Sequence, residues 1–248
     1  MTGTPGRAYA VRTLHQIEVT SRCNLACRYC LHPIMKRPKQ DMTRETWDQA
    51  LDWLRYYVRQ GTQGELVLYG TGEPLLHPRF VEMVAEARAV IGERPLFFTT
   101  NGLLMDTAMV AALKPYQVRV WVSLHRPEHA GPAVLRLREA GMLERVSIEP
   151  SVAPMDWAGQ VDWPVSVEVP EGRVVLCEYL QVGWLFCDST GRLCSCCTID
   201  DQADGVVGHV SEAPHPVAVH GYQLCASCWM PHPEPWQVKT RIVAREAA

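Results

Sequence analysis

Ser21-Arg-Cys-Asn-Leu-Ala-Cys-Arg-Tyr-Cys-Leu31 decides how the rest of the chain is read. Cys23, Cys27 and Cys30 stand in a C-x3-C-x2-C run straight after a strand-like segment, Leu14–Thr20. Three thiolates this close do not complete a four-ligand metal site. They suit three irons of a cubane cluster and leave the fourth iron to a small non-protein ligand, because such clusters are ordinarily held by four cysteines. A zinc loop or chance clustering is the plain alternative.

The loop sits in a chain of 248 residues, 47% apolar and 21% charged. That length and composition fit one large domain, or one and a half, with a sizeable core. A net charge of −3 argues against a general polyanion binder, so no nucleic-acid partner is expected. The charge is uneven: residues 151–235 hold eleven acidic residues against two arginines, Arg173 and Arg192. This is either a solvated acidic face or a wall that favours a cationic substrate. Met1–Thr13 lacks the apolar stretch of a signal peptide, and no apolar run reaches the roughly 18 residues that span a bilayer. Ten cysteines without such a signal predict a cytoplasmic protein that uses them for metal ligation, not disulfides.

Strand and helix signals alternate from Leu14 onward. A helix is expected over Thr43–Gln60, with Trp47, Leu51, Leu54 and Val58 on one face and Gly61 as its stop. Leu66–Tyr69 reads as the second strand. Pro78 is expected to open a helix that turns Val81, Val84, Ala85 and Ala89 inward and ends near Gly92. Leu96–Thr100 is the third strand, Asp106 caps a short helix that Pro115 ends, and Val118–Leu124 is the fourth strand. Pro132 opens a helix ended by Gly141, and Val146–Pro150 and Val165–Val169 supply strands five and six. Such alternation makes a parallel sheet with right-handed crossovers. Six units in about 155 residues fall short of a closed eight-fold barrel, which needs about 250, so the class is α/β, a partial (β/α)6 barrel. We place this core at residues 14–170, a small second module at 171–235 that holds seven of the ten cysteines, and terminal extensions at 1–13 and 236–248. A module that small usually needs a metal or disulfides.

Candidate site residues fall at the C-terminal ends of strands, where barrel active sites are built. Gly70-Thr71-Gly72-Glu73-Pro74 follows the second strand, with glycines that allow close backbone approach and a carboxylate that can accept from an ammonium. Thr100-Asn101-Gly102 ends the third strand, and Ser123-Leu124-His125 the fourth. If Ser123 points inward, alternation turns Trp121 and His125 inward too. The same rule turns in Gln16 and Glu18, Ser147 and Glu149, and Ser166 and Glu168. Glu18, His125 and Glu149 are the candidate substrate contacts, and an ordinary structural salt bridge is the competing role for each.

Together these motifs resemble the radical S-adenosylmethionine (radical SAM, AdoMet) superfamily. The resemblance implies that Cys23, Cys27 and Cys30 hold a [4Fe–4S] cluster whose open iron is chelated by AdoMet. Tyr29 before the third cysteine is the family's usual aromatic. Gly70, Thr71, Gly72 and Glu73 match its G-G-E-P motif, which holds the methionine amino group, with Thr71 in place of one glycine. Asn101 and Ser123 match its cofactor contacts. His125 departs from the usual Asp, and Arg126, Arg136 and Arg138 are all candidates for the AdoMet carboxylate. The implied chemistry is reductive cleavage of AdoMet to a 5′-deoxyadenosyl radical that removes a hydrogen atom from substrate, with a flavodoxin- or ferredoxin-type protein as electron donor.

The C-terminal module resembles the twitch module, a shortened relative of the SPASM domain. A hairpin from Trp184 to Cys197 turns at Gly191 and ends in a G-x4-C step, and Cys225-x2-Cys228 follows. The resemblance implies that Cys177, Cys196, Cys225 and Cys228 hold a second [4Fe–4S] cluster and leaves Cys187, Cys194 and Cys197 spare. A zinc ribbon competes, because four thiolates suit zinc as well. Length and layout resemble the aminocyclitol (2-deoxy-scyllo-inosamine) dehydrogenases, which implies two-electron oxidation of a small amine-bearing metabolite. An epimerase that returns hydrogen from a spare cysteine, a peptide maturase and, remotely, a non-enzymatic zinc adaptor are the alternatives.

Overall fold

The computed structural model of the protein describes residues 8–124, 126–148, 157, 160, 161, 165–167, 177–197, 204–226, 228 and 240–242. Two strands open it, β1 (Tyr9–Ala10) and β2 (Thr13–Ile17). After the cysteine loop, the Thr43 hydroxyl accepts from the Thr46 N–H and caps α1 (Arg44–Arg59). This satisfies one of the helix's orphan donors. The helix buries Trp47, Ala50, Leu51, Trp53, Leu54 and Tyr57. Val58, expected on that face, is half-buried at its rim.

The next units are β3 (Leu66–Val67) with α2 (Phe80–Ile91), and β4 (Leu96–Thr100) with α3 (Thr107–Leu113). Then come β5 (Arg119–Leu124), α4 (Pro127–Glu139) and β6 (Leu143–Ile148). Asp106 caps α3 as expected, accepting from the Met109 N–H. Three local readings are corrected. Phe80, Met83, Val84, Ala87 and Ile91 fill the inner face of α2, and Ala89 is exposed. A 3-10 turn carries the chain through Pro115. Pro127, not Pro132, begins α4, and Pro132 lies inside it. Pro127 takes the first helical position, where a missing N–H costs nothing. Packing of Ala130, Ala133 and Leu137 holds the helix past the bond that Pro132 cannot make.

The remaining elements are β7 (Val165–Val167), α5 (Glu178–Val182), β8 (Trp184–Cys187), β9 (Arg192–Cys194), β10 (Val206–His209), β11 (Ala218–Val219) and β12 (Thr240–Ile242). One sheet of eight strands organises the fold, in the order β10-β9-β8-β2-β3-β4-β5-β6. From β8 to β6 every neighbour is parallel. The expected sixth barrel strand is therefore corrected: β7 pairs antiparallel with β12 in a separate two-stranded sheet. On the other side of the sheet β2 is joined by β8, from the expected C-terminal module. The run Trp184-Leu-Phe-Cys187 is apolar throughout, as a strand covered on both faces must be. Among the described residues no helix is long and apolar enough to cross a membrane.

Val120 and Val122 on β5, and Ile17 with Val19 beyond it on the β2 side, are fully buried against the helices. Gln16, Thr99 and Ser123 point the other way and line the barrel interior. The period-two reading of these strands holds, and it aims the strand ends at one cavity.

Candidate active site

A cavity of about 220 Å³ opens at the C-terminal ends of β2 to β5. Cys23, Cys27, Cys30, Tyr29, Gly70, Thr71, Gly72, Glu73, Asn101 and Ser123 all line it. Ten expected residues from four strand ends thus share one wall. The cysteine loop is held by its own backbone and by its neighbours. The Cys30 N–H donates to the Cys27 carbonyl at 3.0 Å, and the Glu73 N–H donates to the Arg22 carbonyl at 2.8 Å. Asn101 Nδ2 donates to Asn24 Oδ1 at 2.8 Å, and Trp157 Nε1 to the Tyr29 carbonyl at 2.7 Å.

The thiols carry the charge logic of a metal site without its ion. Burial, with smaller repulsion from Glu73, Cys30 and Cys27, pushes the Cys23 thiol up to about 11. Burial raises Cys30 as well. A bound cation reverses this and deprotonates them. Among the described residues no three His, Cys, Asp or Glu side chains are gathered tightly enough for a single metal ion. Cys23, Cys27 and Cys30 all line this one cavity, and a cubane takes its thiolates on separate irons.

Glu73 is the second group of the site with a shifted pKa. Its side chain accepts from Thr100 Oγ1 at 2.8 Å, the Asn101 N–H at 2.8 Å and the Leu75 N–H at 3.2 Å. No cation is paired with it among the described residues. Burial outweighs these bonds and pushes its carboxyl up to about 7. An ammonium in the cavity would supply the missing charge. The glycines of this motif have a different task from the one expected. A Cβ at Gly70 would run into the Glu18 side chain, and one at Gly72 into the Thr20 and Arg22 carbonyl oxygens. They let two protein segments meet.

Glu18 lies in a second, smaller cavity of about 40 Å³ between the barrel and the C-terminal hairpin. It forms a buried ion pair with Arg37 at 2.6 Å. It also accepts from the Thr71 N–H at 2.8 Å, Thr71 Oγ1 at 2.6 Å and the Ser189 N–H at 3.0 Å. Four donors occupy the lone pairs of one carboxylate. Glu18 therefore ties the first strand, the glycine motif and the hairpin together, and has no capacity left for a substrate amine. Arg37 and Ser189 carried no signal in sequence, because the partners lie 19 and 171 residues from Glu18. His125, Glu149 and Glu168 lie outside the described residues. Arg126 and Arg138 are exposed, and Arg136 donates to the Met105 carbonyl at 3.2 Å, so none of the three lines the cavity.

The cavity also holds polar groups that sequence reasoning passed over. Thr99 Oγ1 and both ring nitrogens of His32 are buried without a hydrogen-bond partner. Burial and the nearby Lys39 and Arg37 cations hold the His32 ring below its ordinary pKa. The position of His32, directly beyond the third cysteine, was the signal available for it.

The hairpin forms as expected: β8 and β9 are antiparallel, and Gly191 takes φ +93° at the turn. Cys177 caps α5 from its first position. Its thiol is raised mainly by burial, with repulsion from Cys196, and Cys197 is raised by the Cys196 thiol and by burial. Cys177, Cys196 and Cys197 thus stand together. Cys194 lies near Asp188, Arg192 and Arg37 and also near Cys196, and Cys187 lies beside it, fully buried. Cys225 follows Tyr222, which lines the small cavity, in a 3-10 turn over Gln223–Ala226. Cys197 lines both cavities.

Comparison with known proteins agrees with this geometry. The family profile described as the Radical SAM superfamily matches residues 17–167. Molybdenum cofactor biosynthesis protein 1 of Bos taurus is 38% identical over 90 residues, 36% of this chain and 14% of the relative. The GTP 3′,8-cyclase of Chlorobaculum tepidum is 36% identical over 103 residues, 40% of this chain and 28% of the relative. The chain therefore spans only a small part of the length of these curated relatives. Among solved structures, BtrN in complex with AdoMet and 2-DOIA superposes with a TM-score of 0.65 at 18% identity, over 81% of this chain and 78% of BtrN. SuiB of Streptococcus suis, bound to precursor peptide SuiA, gives 0.57 at 11% identity, over 81% of this chain and 63% of SuiB. At those identities the likeness is one of fold. The profile covers more than half of the sequence, and the chain belongs to the radical SAM superfamily.

Proposed function

We propose that the protein oxidises a small amine-bearing metabolite by two electrons, with AdoMet and two [4Fe–4S] clusters as its cofactors. The observation that carries this reading is Cys197. It lies on the wall of the AdoMet-side cavity and in the same thiol group as Cys177 and Cys196, so a cluster in the hairpin module would sit next to the substrate. An electron acceptor in that position suits a net oxidation. When bound, the first cluster and AdoMet supply the radical that takes a hydrogen atom from substrate.

The chain's own residues supply the rest. Cys23, Cys27 and Cys30 are the proposed ligands of the first cluster, with Tyr29 covering the loop. Glu73 holds the AdoMet ammonium, beside Gly70, Thr71, Gly72, Asn101 and Ser123. Cys177, Cys196, Cys225 and Cys228 hold the second cluster, and Cys194, which also lies near Cys196, is the competing ligand. His125 and Glu149 are the proposed substrate contacts. Glu18 is set aside because its acceptor capacity is filled. We take 14–170 as the core and 171–235 as the auxiliary module, joined through β2 and β8, in a cytoplasmic enzyme served by a flavodoxin or ferredoxin. The BtrN structure, which pairs AdoMet with 2-DOIA, gives this reading its substrate class.

Anaerobic reconstitution is expected to give about eight iron atoms per chain, and the Cys23, Cys27 and Cys30 triple change to Ala to halve that and abolish AdoMet cleavage. Zinc in the hairpin module would refute the second cluster. Cys197 also favours a second reading, epimerisation, in which its thiol returns a hydrogen atom to substrate. Turnover in D2O separates the two: an epimerised product carries solvent deuterium at the reacting carbon, and an oxidised product does not.

A further inference from the structure

His32 is buried to 7% exposure, and neither Nδ1 nor Nε2 has a hydrogen-bond partner. Buried polar side chains almost always have one, and an orphan calls for an explanation. The ring lines the same cavity as Cys23, Cys27 and Cys30. Its backbone N–H already donates to Cys30 Sγ at 3.4 Å, so the residue stands on the thiolate side of that cavity. His77 Nε2 is bonded to the Met42 carbonyl at 3.1 Å, and at His15 Nδ1 alone is without a partner while the ring stacks on Trp184.

An imidazole in either protonation state carries at least one N–H. The Ser21 carbonyl lies near enough to act on the ring but makes no well-formed hydrogen bond with it, and a cubane cluster presents sulfur acceptors on every face. Hydrogen bonds to those sulfurs are one of the levers that set a cluster's reduction potential. On the reading of this cavity given above, we propose that His32 is a positioning residue of the first cluster, donating its ring N–H to one of the cluster's sulfurs and raising its reduction potential. Donation to sulfur stabilises the reduced, more negative form, so the potential rises. It also fixes the loop that carries Cys30.

The test compares reconstituted wild type with His32→Leu and His32→Gln, read by redox titration and by electron paramagnetic resonance of the reduced cluster. His32→Leu is expected to keep the full iron content and to shift the midpoint downward. His32→Gln, which restores an N–H donor, should recover part of that shift. Wild-type protein labelled with 15N-histidine should show a hyperfine coupling to one ring nitrogen and to one exchangeable proton. That measurement stands even where the Leu variant loses its cluster. An unchanged midpoint in His32→Leu with iron retained would overturn the proposal, as would absence of the nitrogen coupling in wild type. Failure of the cavity reading looks different: the Cys23, Cys27 and Cys30 triple change would leave the iron content untouched.

Discussion

Two polar cavities lie a few residues apart along β2, and they are built on opposite plans. In the hairpin cavity both carboxylates are answered, and of the charged groups Arg37 Nε is left without a partner. Glu18 is met by Arg37, Thr71 and Ser189, and Asp188 by Arg192 and Thr190. In the barrel cavity the charge and the donors are left open: Glu73 has no cation among the described residues, and His32 and Thr99 have no partner. Sequence alone makes the two look alike, because each offers an inward Glu at a strand end. The difference lies in partner count. A saturated network rigidifies a junction, and an unsaturated one awaits a ligand.

The junction should fail first. Replacing Arg37 with Met strands the Glu18 carboxylate in a site where its side chain is 3% exposed. Breaking a buried pair from one side costs about 3–5 kcal/mol. Chemical denaturation should show a loss of that size, with the β2–β8 seam as the element that loosens. The corresponding change in the barrel cavity, Glu73→Gln, should leave the unliganded protein as stable as before or more so at pH 8. A loss above 1 kcal/mol there would mean that Glu73 has a cationic partner after all.

Titration sharpens the same contrast. Burial raises Glu73 from 4.5 to about 7, so the folded protein holds a proton that the unfolded chain gives up. The stabilisation is full below 4.5 and is lost as pH rises through 7, a change of about 3 kcal/mol. His15 runs the other way. Burial lowers it from 6.5 to about 4, so its contribution is full above 6.5 and is lost as pH falls toward 4. The two slopes oppose each other between 4.5 and 6.5. Unliganded wild type should therefore be nearly flat there, and Glu73→Gln should expose a rise of about 3 kcal/mol between pH 4 and 6.5. AdoMet binding should release a proton below pH 7 in wild type and none in the variant, measured by calorimetry in buffers of different ionisation enthalpy.

Iron content gives a prediction inside the hairpin module. On the ligand set proposed above, Cys196→Ala should remove about four irons, and Cys194→Ala should remove none. The reverse result would exchange the two residues as ligands.

What could be read in the sequence was local. The cysteine loop, the glycine motif, Asn101 and Ser123 each sit within a few residues of a strand end, and period-two alternation carried Gln16 and Ser123 inward. What could not be read was pairing at a distance. Val165–Val167 alternates like a barrel strand, yet it pairs with Thr240–Ile242, and the strand that extends the parallel run is Trp184–Cys187, beside β2. Both segments satisfy strand chemistry, so the choice rests on tertiary packing. Glu18 was misplaced for the same reason. An inward carboxylate announces that it needs partners, and only the fold brought Arg37 and Ser189 to it.

The smallest effect discriminates most cleanly, because it compares one residue type in both cavities. Thr71 Oγ1 donates to Glu18 Oε1 at 2.6 Å and accepts from Arg37 Nη2 at 3.1 Å. Thr99 Oγ1 is buried with no partner. Thr→Val keeps the shape and removes the hydroxyl. At Thr71 it leaves two charged groups each one bond short, and charged hydrogen bonds contribute about 1.5–3 kcal/mol. At Thr99 nothing is broken in the unliganded protein, and removal of an unpaired buried hydroxyl should be neutral or stabilising by up to about 1 kcal/mol. For AdoMet binding, Thr99→Val should bind several-fold more weakly than wild type. Equal losses of stability at the two positions would mean that the barrel cavity is as saturated as the hairpin cavity, and the contrast between them would not stand.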